Sequence, residues 1–155
     1  MAREDFRFSF PFRVRYSEID GQKVVFNAHY LTYFDTAITE YFRDLGYDYV
    51  NQVERTGSDF HAVRTVVEYK RPILLDARIA VHVRAARIGR SSLSFALEIH
   101  PQDSGPEDRE AVAQGPYALG EVVWVNADQS SHKSVPVPDE LVSLLERHEG
   151  RPLRD

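Results

Sequence analysis

Two carboxylates, Glu18 and Asp20, stand in a turn over residues 17–27, directly ahead of the longest amphipathic stretch of the chain. An ionised carboxylate can attack a carbonyl carbon, or take the proton from a water that does so. The stretch that follows reads as a helix over residues 28–45. The first N–H groups of an α-helix have no intrahelical acceptor and sit at the positive end of its dipole. An acid beside such donors is the minimal set for acyl transfer, one group to attack or activate and another to hold the oxygen as it turns negative. Asn27 is placed as the helix N-cap, with its side-chain oxygen accepting an early backbone N–H. From residue type alone, Asp20 has a plainer job as a turn-capping aspartate. Glu18 is expected to be structural, in an exposed pair with Lys23 or a strand arginine.

Other chemistries find no support in the residues. The chain has no cysteine, hence no disulfide frame and no thiol nucleophile. No His-x-x-x-His or His-Glu-x-x-His spacing is present, so neither a metal nor another cofactor is expected. The Gly-x-Ser-x-Gly turn of many serine hydrolases is also missing. His29 and His61 are the histidines nearest the turn, and hydrogen-bonded or solvated structural roles are the default for both.

The elements that must position the acid are legible as periodicities. Phe6, Phe8, Phe10, Phe12, Val14 and Tyr16 recur at every second residue, which gives a strand over 6–16 with one apolar face. Pro11 inside it argues for an edge position or a bulge. Tyr30, Leu31, Tyr33, Phe34, Ala37, Ile38, Tyr41, Phe42 and Leu45 recur at helical spacing, and Gly46 supplies a stop. A shorter helix is expected around 48–55. Strands follow at 61–70, 77–88 and 92–100, then a polar loop over 101–109. Residues 110–119 and 120–126 read as further strand, one long strand bent near Gly115-Pro116. An extended connector over 135–138 opens a last helix through Arg147. One strand, one long helix and then successive strands without intervening helices give an α+β fold, a mostly antiparallel sheet around one buried helix.

At 155 residues, the chain reads as one domain spanning 1–155, with 43% apolar and 28% charged residues. The formal charge of −5 argues against a nucleic-acid binder. No apolar run reaches membrane-spanning length, and the first residues form no apolar signal core, so a cytoplasmic protein is expected. Aromatic residues make up 12% of the chain and crowd into its first 60 residues, more than one small core readily buries, which favours an oligomer.

Taken together, the run Glu18-Ile19-Asp20-Gly21-Gln22-Lys23-Val24-Val25-Phe26-Asn27-Ala28-His29-Tyr30 resembles the leading motif of the hotdog-fold thioesterases of the 4-hydroxybenzoyl-CoA thioesterase and YbgC-like type. Further signals follow in order: Tyr69-Lys70-Arg71-Pro72, Asp76, Ile88-Gly89-Arg90-Ser91-Ser92, Ala113-Gln114-Gly115 and Pro136-Val137-Pro138. The resemblance covers nearly the whole chain. It implies a curved antiparallel sheet wrapped around one long helix, subunits paired edge to edge as dimers or tetramers, and a CoA or acyl-carrier thioester as substrate. Asp20 falls on the family's catalytic carboxylate, and the backbone N–H that polarises the thioester carbonyl falls around Asn27. Val25, Phe26, His29 and Tyr30 would line the acyl channel, with His61 on the strand that approaches the partner's helix, and Arg90, with Lys70 and Arg71, meeting CoA phosphates. Two positions depart from the motif: Glu18 replaces an aspartate and Lys23 replaces a glycine. Lys23 can hold Asp20 ionised or occlude the site, and occlusion would leave a non-catalytic module that binds acyl-CoA or only assembles. A hotdog dehydratase would need a helix-start histidine motif that the sequence lacks.

Overall fold

A computed structural model describes residues 5–154. Arg3 and Glu4, part of the charged start, lie outside the described residues. Strand β1 (Phe8–Arg13) turns Phe8, Phe10 and Phe12 towards the core and its other residues to solvent, as the alternation requires. The period of two continues to buried Val14 but not to Tyr16, which is 80% exposed. There the chain leaves the sheet in a 3-10 turn over Tyr16–Glu18. A 17-residue helix, α1 (His29–Leu45), follows and buries Tyr30, Tyr33, Phe34, Ala37, Ile38, Tyr41 and Phe42 along one stripe. Gly46 ends it in the left-handed conformation at φ 78°, a geometry that glycine adopts without steric cost.

After a short helix α2 (Gln52–Thr56) come β2 (Ser58–Tyr69), β3 (Arg78–Ile88), β4 (Ser92–Pro101), α3 (Arg109–Ala113), β5 (Ala118–Asp128) and α4 (Asp139–Glu149). The strands form one five-stranded antiparallel sheet in the order β1-β3-β4-β5-β2. This is the expected sheet around one central helix. Pro11 sits on an edge strand, as anticipated. Gly120, in β5, lets α1 come close: a Cβ there would meet the Phe34 ring at 2.4 Å. The far end of α1 is locked by Glu149 of α4, whose Oε2 accepts both the Tyr41 hydroxyl at 2.6 Å and the Ala85 N–H at 3.0 Å. Among the described residues, no helix is long and apolar enough to cross a membrane.

One stretch read as strand is helical. Residues 110–113 lie in α3, preceded by a 3-10 turn over Pro106–Asp108 inside the expected polar loop, and β5 begins only at Ala118. Two arginines from distant elements fix this segment. Arg71 donates from Nη2 to the Ala111 and Gly115 carbonyls at 3.0 and 2.8 Å, with its guanidinium 3.9 Å above the Tyr117 ring. Arg78 donates from Nη1 to Asp108 Oδ1 at 2.8 Å and from Nη2 to Gln102 Oε1 at 3.1 Å.

Candidate active site

The turn between β1 and α1 folds back on itself as a small hairpin. Asp20 N–H donates to the Val24 carbonyl and Lys23 N–H to the Asp20 carbonyl, both at 2.9 Å, while Ile19 and Val25 bridge. Phe26 N–H reaches the Glu18 carbonyl at 3.0 Å, so Asp20 and Asn27 leave opposite limbs of one loop. The second limb is stitched to the β2–β3 connection by Val25 N–H on the Ile73 carbonyl at 2.8 Å and by a Val24–Leu74 bridge.

Glu18 holds this loop in place. Its Oε1 accepts the Arg15 N–H at 2.8 Å and the Tyr33 hydroxyl at 2.9 Å, and its Oε2 accepts Arg15 Nε and Nη2 at 3.2 and 2.9 Å. The expected exposed pair is corrected here: the partner is a strand-end arginine, but the carboxylate is buried and Lys23 plays no part. The Tyr33 bond ties the loop to α1, which requires the acid to reach inward. Lys23 itself sits at φ 65°, the left-handed region that suits a glycine. It is exposed and is not among the residues that line the cleft.

Asp20, Asn27, Val25, Phe26 and Tyr30 all line one open cleft of about 790 Å³. Asp20 Oδ1 accepts the Gln22 N–H at 2.8 Å, which is the turn-capping bond that its residue type suggested. Its other oxygen has no hydrogen-bond partner among the described residues. Asn27 is not the side-chain cap that was expected. The chain enters α1 through i→i−3 bonds, His29 N–H to Phe26, Tyr30 N–H to Asn27 and Leu31 N–H to Ala28 carbonyls, and Ala28 already has helical angles. Backbone carbonyls therefore do the capping. The amides of Asn27 and Ala28 keep no acceptor among the described residues. Burial, with a smaller contribution from Tyr69, pushes the Tyr30 hydroxyl up to about 12, so it stays a neutral donor at physiological pH.

The remaining predicted residues lie elsewhere. His29 packs edge-on to Phe26 at 6.1 Å beside the cleft and is not part of its wall. His61 and Arg90 sit at the opposite end of the sheet. His61 and Ser92 flank Val125 in the register, whereas Tyr69, at the cleft, pairs with Ala118. Eight strand residues separate His61 from Tyr69, roughly 26 Å. Arg90 lines a different cavity of about 490 Å³, and His61 Nε2 lies 3.1 Å from Gln129 Nε2. A single protomer does not bring either of them to Asp20.

Tyr69 belongs to the cleft and was not among the candidate site residues. Its ring meets Tyr30 edge-on at 4.8 Å, and its hydroxyl donates to the Asn27 carbonyl at 3.4 Å. The signal for it was the Tyr69-Lys70-Arg71-Pro72 run, all four of which line the cleft. Lys70 pairs with Glu68 at 3.3 Å, and Arg71 is committed to the α3 segment. Among the described residues no group of three His, Asp or Glu side chains is placed to hold a metal ion.

Comparison with known proteins adds a family and a fold. Residues 14–145 match the model of the thioesterase-like superfamily. The acyl-CoA thioesterase YbgC of Haemophilus influenzae is 31% identical over 88 residues, 57% of this chain and 65% of that relative's length. A thioesterase from Thermus thermophilus, crystallised with coenzyme A and zinc, superposes with TM-score 0.76 at 28% identity over 97% of this chain and 99% of that one. A 1,4-dihydroxy-2-naphthoyl-CoA thioesterase from Synechocystis superposes with TM-score 0.77 at 16% identity over 89% and 94% of the two chains, a likeness of fold alone.

Proposed function

The chain belongs to the thioesterase-like superfamily, and from that premise we propose that it hydrolyses acyl-CoA thioesters at the cleft between Asp20 and Asn27. The observation that carries the reading is local. A carboxylate with one oxygen unpartnered and a backbone amide without an acceptor lie on the wall of the same open cleft.

With the thioester carbonyl between them, the Asn27 amide donates to the carbonyl oxygen as it gains negative charge, near the positive end of α1. Asp20 then acts in one of two ways. As nucleophile it forms a mixed anhydride and expels the CoA thiolate, and water opens the anhydride to the free acid. As base it takes a proton from a water that adds to the carbonyl, and the tetrahedral intermediate expels the thiolate. Either route consumes one water and yields a carboxylate and CoA. The Gln22 N–H fixes Asp20 Oδ1, which orients the other oxygen. Val25, Phe26 and Tyr30 supply apolar walls. A second copy of the chain belongs to the reading. The ends that carry His61 and Arg90 are too far from Asp20 within one protomer, and antiparallel pairing of edge strands brings opposite ends together.

Free-thiol release from short, medium and aromatic acyl-CoAs tests this. Asp20→Asn should lower turnover at least about 100-fold, the usual range for loss of an acid–base or nucleophilic group, while acyl-CoA still binds. Turnover unchanged by the substitution would remove Asp20 from the chemistry. Binding without thiol release in the wild type would establish the acyl-CoA-binding module instead.

A further inference from the structure

Arg71 and Pro72 close one side of the cleft. Both residues also form the wall of a second cavity of about 500 Å³, within the usual size of small-molecule pockets. The Val24–Leu74 bridge marks the same junction, since Val24 lines the cleft and Leu74 the second cavity. Building on the thioesterase reading above, we propose that this second cavity is an acyl chamber, which receives the distal end of a medium-length aliphatic acyl group whose thioester lies at Asp20.

The lining selects that occupant over the CoA end of the substrate. Leu74, Leu75, Ala77, Ala111 and Tyr117 give the chamber most of its wall, with Asp76 and Gln114 as polar members beside Arg71. Leu74 is 58% exposed and Leu75 37%, an uncovered apolar area that an alkyl chain would remove from water. The cation at the junction is held in place: Arg71 Nη2 donates to two carbonyls, the guanidinium lies over the Tyr117 ring, and its Nε is buried without a partner. It acts as a fixed post between the two spaces. The far wall is α3, which enters the chamber through Ala111 and whose preceding 3-10 turn is held at Asp108 by Arg78. A residue in the segment between β4 and β5 therefore sets how long a chain fits, and the small side chain of Ala111 leaves the space open.

Equilibrium binding of butyryl-CoA and octanoyl-CoA to Asp20→Asn protein, followed by calorimetry, reports on the chamber without requiring turnover. Each methylene fully taken from water tightens binding by about fourfold, so the four extra methylenes of octanoyl-CoA give up to roughly 250-fold, and in a chamber that leaves them partly wet octanoyl-CoA should bind roughly 10- to 100-fold more tightly than butyryl-CoA. Adding Ala111→Trp, which sets an indole in the path of the chain, should bring the ratio of the two affinities close to one. Leu75→Glu, which puts a charge on the wall without adding to α3, should do the same and serves if the tryptophan variant fails to fold. A ratio near one before the chamber is altered overturns the proposal, and so does a ratio that both variants leave intact. Failure to bind either ester overturns it together with the thioesterase reading. Wild-type protein that shows the binding ratio yet releases no thiol would sink the hydrolase reading alone and leave the chamber standing.

Discussion

Glu18 and Asp20 are two residues apart and have opposite surroundings, and the difference decides their roles. Burial by itself would push the Glu18 carboxyl up. The Arg15 N–H, the Arg15 guanidinium and the Tyr33 hydroxyl outweigh it and hold the group below its ordinary value of 4.5. Ionised Glu18 therefore contributes stability that is fully present above the unfolded-state value and is lost as pH falls through the lower folded-state value. Glu18→Gln keeps the shape, removes the charge-assisted bonds and should cost about 1–3 kcal/mol at neutral pH. That gap should shrink as pH falls through the lowered folded-state value, because the wild-type carboxyl is then protonated as well. Chemical denaturation over a series of pH values from neutral into acid measures it. A gap that persists unchanged into acid would mean that the ion-paired state is not what anchors the loop. The spacing of the two acids marked the turn as important, but it carried no information on which acid faces inward. That depends on Tyr33, fifteen residues away on α1.

Among the elements, α1 was legible because seventeen residues with a continuous apolar stripe leave little ambiguity in period. The five residues of α3 cover less than two turns, too few for a helical period to separate from an alternating one. What makes them helical is tertiary, namely the Arg71 and Arg78 bonds that no local pattern announces. The N-cap expected at Asn27 failed for a related reason. The chain arrives at α1 already turning, so carbonyls fill the capping positions and the Asn27 side chain is released from that role. Gly120 is the other silent determinant, a strand glycine whose reason lies across the core at Phe34. Gly120→Ala should force that buried ring to shift and cost about 1–3 kcal/mol, read as a lower melting temperature. An alanine variant as stable as the wild type would show that α1 does not depend on this close approach to the sheet.

For the molecule as a whole, the two edges of the sheet differ in a way that bears on assembly. The β1 edge is six residues long and carries Pro11, which cannot donate to a neighbouring strand. The β2 edge is twelve residues long, and His61, Ala62, Val63, Arg64 and Thr65 are exposed in succession, on both faces of the strand. Val63 alone is 60% exposed. A long, bare, β-branched edge invites pairing with another strand, and the closed way to satisfy it is with a second copy across a two-fold axis. In the proposed dimer, a two-fold near Thr65 would set His61 of the partner subunit opposite Tyr69, and with it the arginine-bearing end of the sheet beside the cleft. The two ends that one protomer keeps roughly 26 Å apart would then form one site. Thr65→Asp places like charges directly opposite each other across that axis. It should shift the wild-type oligomer to a 17.8 kDa monomer in sedimentation, with at least a tenfold loss in kcat/KM, on the order expected when substrate-positioning groups are removed. Retention of the monomer fold, checked by circular dichroism, separates assembly from stability. Wild-type protein that sediments as a monomer and still turns over acyl-CoA at full rate would place the whole site within one chain and leave His61 and Arg90 outside it.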